Sequence, residues 1–403
     1  MSGKTASGAT VRTRRPGRRP RDRRPPDGCV GGPARGARSG ARRVTQPPLG
    51  GPSPHEPPAP REPVPVNPEE ISARILRIVF RHRRGAPEPG CDAETCPRCV
   101  PAHLPAVRAS VRAGVPVECV LPGFPCKSPN PAKVLGTLPD RAEEVAFDFL
   151  AGLCRQVREV YPPGMRLVIC SDGRVFSDLI GVHDEVVTAY QDEIRRMLAR
   201  RRPAPLSLFS IDDVPGMDSC SYDAMRRALD ETHGERPERI REEVRAGGEA
   251  LDLYRALTRF LLEDSFTPGV SRTRSALQRE ARRRAYGVIA RSRAWGGLVA
   301  EHFPRAVRLS IHPQRCGSAK FGIRLTPEDD GWLTPWHAVA VESGDGYVLR
   351  RRADTERDGA RLVHREGRPS HFVRALPDTP PSVTGGPEAL HGPSPLTRAP
   401  GAA

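Results

Sequence analysis

Three short segments hold side chains whose types and spacing suit polar chemistry, and a fourth has the spacing of a metal site. The first is Leu121-Pro122-Gly123-Phe124-Pro125-Cys126-Lys127-Ser128-Pro129-Asn130. Three prolines in ten residues fix φ at three points, so this loop is stiff. It follows an apolar run of strand length (115–121) and holds Lys127, Ser128 and Asn130 in fixed places, with Lys133 three residues further on. Such a set can cradle a phosphate or a carboxylate; the plainer reading is a Pro-rich surface connection with solvated lysines. The second segment is Ser171-Asp172-Gly173-Arg174-Val175-Phe176-Ser177-Asp178. Asp172 comes directly after an apolar run (166–170), where a carboxylate can bind an amine or move a proton. An Asp-Gly turn explains it equally simply. Asp178 and Asp184 are further acids nearby, and Asp184 also suits a helix cap.

The third set is Ser310-Ile311-His312-Pro313 together with Thr334-Pro335-Trp336-His337. Each histidine stands at the edge of a short strand pattern. A single histidine is more often structural than catalytic, but two beside prolines in neighbouring strands shift that balance. Lys320 and Arg324 alternate with Phe321 and Ile323, which puts both cations on one strand face close to the histidines. The fourth set is Cys91-x4-Cys96-x2-Cys99-x3-His103, four soft ligands at spacings that fill a zinc tetrahedron. A single CxxC is less specific than two, and free thiols on a loop are the alternative. No GxGxxG or Walker pattern and no GxSxG elbow occurs, which argues against a dinucleotide enzyme, an NTPase and a serine hydrolase.

The elements that must position these groups follow from periodicity. Ile71, Ile75, Ile78 and Val79 have helical spacing. Asp140-Arg141-Ala142-Glu143 is a capping-box pattern opening a helix with Val145, Phe149, Leu150, Leu153 and Val157 on its apolar face; Pro162-Pro163-Gly164 ends it. A strand over 166–170, a helix through Val186, Tyr190, Ile194 and Met197, and a strand over 206–211 follow. This alternation predicts an α/β fold with a Rossmann-like parallel sheet, which binds ligands at the carboxyl ends of its strands. Residues 216–300 read as a helical middle part with Leu251, Tyr254, Leu257 and Leu261 as one stripe; the basic stretch 272–293 reads as a solvated helix face. Runs at 307–311, 320–325, 337–341 and 347–349 predict a C-terminal β-rich part. One catalytic domain is expected over 67–373, divided at 67–215, 216–300 and 301–373.

Composition places the rest. Only 37% of the 403 residues are hydrophobic and 45 are proline, so much of the chain cannot be packed core. Residues 1–66 carry 14 Lys and Arg against 4 Asp and Glu, a net of +10 out of +16 for the chain. They read as a disordered Arg/Pro/Gly-rich tail, and residues 374–403 as a second one. With the charge on a tail rather than a folded face, nucleic-acid binding is not the expectation. Cys119, Cys154 and Cys170 sit singly in apolar runs, as buried free thiols do. No apolar signal segment or ~20-residue apolar run occurs, so a soluble cytoplasmic protein that engages no membrane is expected.

The string LPGFPCKSPNPAKVLGTLPDRAEE, followed by ICSDGRVFSDLIGVHDEVVTAY and later by SIHPQ, KFGIRL and TPWHAVAV, resembles the isocyanide synthases, also called pyoverdine/dityrosine biosynthesis proteins. The resemblance covers roughly residues 70–350. The 66-residue tail is foreign to the family pattern, and Gly123 stands where alanine is usual. The resemblance implies condensation of an amino acid's α-amine with ribulose 5-phosphate, one sugar carbon becoming the isonitrile carbon. It implies no redox cofactor, and a downstream oxygenase of the same pathway as the consumer of the product. Lys127, Lys133, Lys320 and Arg324 are then available for the sugar phosphate, with Lys127 alternatively a catalytic proton donor or imine-forming amine; Asp172, His312 and His337 are available for proton transfer, and Asp178 or Asp172 for the ammonium, with Ser128, Asn130 and Ser171 as further substrate contacts. The cysteine cluster with His103 is family-like and suits a structural zinc. Formation of an N-formyl amino acid, as in a fungal branch, and a zinc-stabilised basic nucleic-acid-binding protein are the alternatives.

Overall fold

A computed structural model describes residues 67–374 apart from 86–87, 93–95, 202–204, 268 and 329–332. The two expected tails lie outside the described residues. The chain opens with α1 (Pro68–Phe80), whose Asn67 cap accepts from the Glu69 amide, and α2 (Cys99–Arg112). Then come β1 (Val117–Gly123), α3 (Arg141–Val160), β2 (Met165–Ser171), α4 (Gly173–Ile180), α5 (Asp184–Ala199) and β3 (Leu206–Phe209). Four helices follow: α6 (Tyr222–His233), α7 (Pro237–Ala246), α8 (Gly248–Asp264) and α9 (Arg274–His302). β4 (Val307–Ser310), β5 (Phe321–Gly322), β6 (Val339–Ser343), β7 (Gly346–Arg350), α10 (Arg352–Arg357), β8 (Arg361–Arg365) and β9 (Arg368–Val373) complete it.

The fold is α/β, as expected. Five parallel strands run in the order β3-β2-β1-β4-β5. Alternate residues of the central strands enter different cores. Cys119, Leu121, Leu167 and Ile169 pack under α1, α3 and α5. Val120, Val168 and Cys170 pack under α4, α6 and α9. Burial on both faces is why these strands read as continuous apolar runs rather than alternating ones.

One expectation needs correction. Residues 301–373 do not form a single β-rich part, because β4 and β5 complete the parallel sheet. Only β6 to β9 build a second sheet, in the order β7-β6-β9-β8. The run at 320–325 shortens to Phe321–Gly322, because the chain then turns away and Ile323 bridges back to Arg83 before α2.

The strand order fixes where a ligand can sit. From β1 the chain moves outward through β2 to β3, then crosses back to lay β4 on the other side of β1. The carboxyl ends of β1 and β4 therefore flank the topological switch point, where parallel sheets leave a crevice. Among the described residues no helix is long and apolar enough to cross a membrane.

Candidate active site

A cavity of about 110 Å³ occupies the switch point. Phe176, Ile180, Phe260, Val288, Ile311 and Trp336 make its apolar wall. Lys127, Ser128, Asp172, Asp264 and His337 make its polar side. The loop after β1 reaches it through an unusual backbone. Phe124 has φ 56°, a region that side chains with a Cβ rarely adopt. Ser171 Oγ donates to the Phe124 carbonyl at 2.8 Å and accepts from Gln191 Nε2 at 2.7 Å, while the Phe124 ring lies 5.0 Å from Phe147 and 4.9 Å from Trp336. Gly173 starts α4 against this loop; a Cβ there would lie 2.0 Å from the Pro125 carbonyl oxygen, so only glycine lets the two segments touch. Ser171 is thus a buried support of the loop rather than a substrate contact.

Asp172 stands at the N-cap of α4 without capping it. Its Oδ1 is buried and has no hydrogen-bond partner. Burial pushes its carboxyl up to about 7, against a small opposing pull from its own backbone amide. A carboxyl poised near neutrality inside a cavity exchanges protons readily. The sequence suggested proton transfer or amine binding for Asp172, and its Oδ1 meets no partner among the described residues.

Lys127 requires a different account. Its side chain is 1% exposed, and its Nζ lies 2.9 Å from Asp140 Oδ2, 2.7 Å from Glu143 Oε2 and 3.0 Å from the Pro335 carbonyl. The Pro335 carbonyl accepts a hydrogen bond from the ammonium, and both carboxylates are ion-paired with it. Burial alone would lower this lysine; Asp140 and Glu143 outweigh it and raise it. Glu143 also accepts from Tyr190 Oη at 3.0 Å, and burial pushes its carboxyl up to about 7 with Lys127 pulling against it. The expected phosphate clamp is therefore an internal ion pair that fastens the loop to the start of α3.

Asp264, at the end of α8, was not singled out from the sequence and is the hub of the polar side. Its Oδ1 accepts from Ser128 Oγ at 2.8 Å and Lys133 Nζ at 2.7 Å, and its Oδ2 lies 3.6 Å from His337 Nε2. Burial would raise this carboxyl; His337 and Lys133 outweigh it and hold it below the usual range. His337 Nδ1 pairs with Thr334 Oγ1 at 3.0 Å, and burial lowers the imidazole with Asp264 pulling the other way. The signal in the sequence was an acid placed three residues after Leu261 on the apolar stripe of a helix. Lys133 meets Glu263 Oε2 as well, at 3.1 Å, so it is neutralised rather than free for phosphate. Asn130 closes the same loop, accepting from the Ala132 amide and donating to the Glu263 carbonyl.

The remaining expected residues scatter. Asp178 is exposed and paired with Arg291 at 2.7 Å, so it does not reach the cavity. Arg324 donates to the Pro327 and Arg81 carbonyls on the outside of the fold, because the chain turns after β5. It shares no face with Lys320. His312 follows Ile311 of the cavity wall and is exposed; crowding by protein lowers its imidazole, and Arg84 and Lys320 lower it further. The structure thus gathers Lys127, Ser128, Asp172 and His337 on one cavity and leaves His312 with Lys320 beside it.

The cysteine cluster forms with one exchange. Cys91, Cys96, Cys99 and Cys316 bring their sulfurs within 4.8 Å of one another. Arg83 donates to Cys91 Sγ and Cys99 Sγ, each at 2.9 Å, and the Cys99 amide donates to Cys96 Sγ. His103 is not part of it. Its ring packs edge-on to Phe80 and Phe321, and burial lowers it to about 4. On α2 the four-residue step from Cys99 turns His103 into the core beside Val107, and the distant Cys316 takes the fourth corner. A lone cysteine in the polar string Pro313-Gln314-Arg315-Cys316-Gly317 was the available signal.

A parallel sheet with an apolar cavity and one partnerless carboxyl at its switch point defines a small-molecule site. The chain belongs to the pyoverdine/dityrosine biosynthesis protein family, whose pattern matches residues 107–363. It is 44% identical over 309 residues to an L-tyrosine isonitrile synthase of Pseudomonas aeruginosa, covering 75% of this chain and 94% of that protein. It is 42% identical over 305 residues to an L-tryptophan isonitrile synthase of Fischerella ambigua, covering 75% and 92%. The crystal structure of the PvcA protein from Pseudomonas aeruginosa superposes with a TM-score of 0.72 at 44% identity, covering 76% of this chain and all of that one.

Proposed function

We propose that this protein is an isonitrile synthase that acts on the α-amino group of an aromatic L-amino acid with ribulose 5-phosphate as the carbon donor. The observation that carries this reading is Asp172: a buried carboxyl with a partnerless oxygen, poised near neutrality, beside an apolar wall of Phe176, Phe260 and Trp336. The relatives that use tyrosine and tryptophan support the aromatic substrate. In this reading the ring of the amino acid lies on the apolar wall and its ammonium beside Asp172. The carboxylate takes one ammonium proton, which frees the nitrogen lone pair to attack the sugar carbonyl. The same proton returns when the carbinolamine loses water to form the imine. His337, held by Asp264 and Thr334, is the second proton carrier.

Incubation with ribulose 5-phosphate and single amino acids, followed by mass spectrometry, tests the reading. An isonitrile from tyrosine or tryptophan is the expected product. An N-formyl amino acid, or no product from any amino acid, refutes it.

The four sulfurs are proposed to hold a structural zinc. Tetrahedral zinc with ~2.3 Å bonds needs four thiolates in mutual contact, and the Arg83 guanidinium offsets part of their charge. Such a site persists in a reducing cytoplasm. Metal analysis should find one zinc per chain in the wild type and none in Cys99→Ala or Cys316→Ala.

A further inference from the structure

Arg308 on β4 and Lys320 just before β5 are neighbours across the sheet, since Leu309 pairs with Phe321. Both project from the face covered by α9. A Cβ added to Gly296 of α9 would lie 3.6 Å from Arg308 Nη2 and 4.0 Å from Lys320 Nζ, so both cations reach one spot. Arg308 donates to the Gly296 carbonyl at 3.1 Å. Among the described residues neither cation has a carboxylate partner, and both are half-buried.

Three other cations withdrawn from water have carboxylates, whereas Arg324, like Arg308, meets only carbonyls among the described residues. Lys127 has two carboxylates, Lys133 has two, and Arg226 has Asp184 and Asp223. Two cations partly withdrawn from water side by side repel each other and lose hydration unless an anion joins them. Burial lowers Lys320, and Arg308 lowers it further. Lys320 and Arg84 both lower His312. The cations of the outer cleft, a space of about 490 Å³ beyond Phe260 and His337, are differently placed. Lys133, Arg259 and Arg352 each already face a carboxylate, and Arg351, which also lines the cleft, is exposed to water.

We propose that Arg308 and Lys320 seat the phosphoryl group of the donor, which lies between α9 and the β4–β5 edge with its carbonyl end toward His312. This rests on the reading of the donor as a sugar phosphate. A guanidinium supplies paired donors and an ammonium a compact charge, a combination that suits a phosphate dianion. Gly296 keeps the seat open, since any side chain there would project toward both cations.

Binding isotherms on the full chain test the seat with ribulose 5-phosphate, inorganic phosphate, unphosphorylated ribulose and tyrosine as probes. Lys320→Met and Arg308→Gln should each weaken ribulose 5-phosphate at least tenfold and leave tyrosine within twofold. Gly296→Asp puts a carboxylate between the cations and should abolish inorganic phosphate binding while raising the melting temperature. In turnover, KM for the sugar phosphate should rise and kcat should change little. Variants that melt like the wild type and bind ribulose 5-phosphate equally well would overturn the seat, even with the donor reading intact. If instead inorganic phosphate binds the wild type but not the variants, and ribulose 5-phosphate yields no isonitrile, the seat stands and the donor reading falls.

Discussion

Two sets of buried charge in this molecule are treated in opposite ways. Around Lys127 every charge has partners: Asp140, Glu143 and the Pro335 carbonyl on one ammonium, and Ser128, Lys133 and His337 on Asp264. At Asp172 one carboxyl oxygen has no hydrogen-bond partner, and among the described residues neither Arg308 nor Lys320 meets a carboxylate, Arg308 donating only to the Gly296 carbonyl. The first set is compensated within the chain, although Lys127, Asp264 and His337 line the same cavity as Asp172. The second is left open, and in the proposed reading an ammonium and a phosphate complete it. A lysine close to the crevice is therefore no evidence of substrate binding until its partners are counted.

The sharpest way to break this comparison is at Lys127. Lys127→Met leaves Asp140 and Glu143 facing each other in the core, which should cost about 3–5 kcal/mol of stability. Chemical denaturation measures it. A variant as stable as the wild type but with a raised KM for the sugar phosphate would make Lys127 the clamp after all.

Asp172→Asn should do the reverse. The rate should drop by roughly 10²–10⁴-fold, while stability above pH 7 holds or rises by about 1–3 kcal/mol. The sign follows from the carboxyl, which is raised from 3.8 to about 7. Folding favours its neutral form, so the wild type loses stability as pH climbs from the lower value to the upper. The advantage of the asparagine variant should grow across that window and then level off. A constant gap from pH 4 to pH 8 would show that Asp172 is not the buried acid described here.

The pH–rate profile separates the groups further. Activity should rise through about 7 as Asp172 ionises. His312, lowered to about 4, stays neutral across that range and contributes no limb there. Retention of the limb in a slow Asp172→Asn enzyme would assign it elsewhere, with Glu143 the nearest alternative.

The smallest effect belongs to Lys320. Lys320→Met removes a half-buried charge that repels Arg308, and should raise stability by less than about 1 kcal/mol at neutral pH. Thermal unfolding without ligand would show it. A clear loss would mean that Lys320 has a partner in the folded chain and is no open seat.

Part of this site was legible in the sequence because its signals are local. Prolines stiffen the loop at 122–129, an aspartate follows a strand, and Asp140 with Glu143 forms the capping box that the structure shows at α3. Apolar runs and helical spacing predicted the parallel sheet, and its strands predicted the end at which the cavity lies. The capping box itself shows where local reading stops. The same two carboxylates that cap α3 also hold Lys127, a contact that depends on β1 and α3 packing together and leaves no periodic trace.

The sequence by itself determined the elements, the sheet type and the candidate groups near the crevice, since each depends on residues within a few positions of one another. Only the tertiary structure decided which of those groups are free. It brought Asp264 from α8 to neutralise Lys133 and orient His337, and Cys316 across more than two hundred residues to replace His103. It turned Arg324 outward and left Lys320 beside Arg308. Charge compensation is a property of neighbours in space, and for these residues the neighbours come from remote parts of the chain.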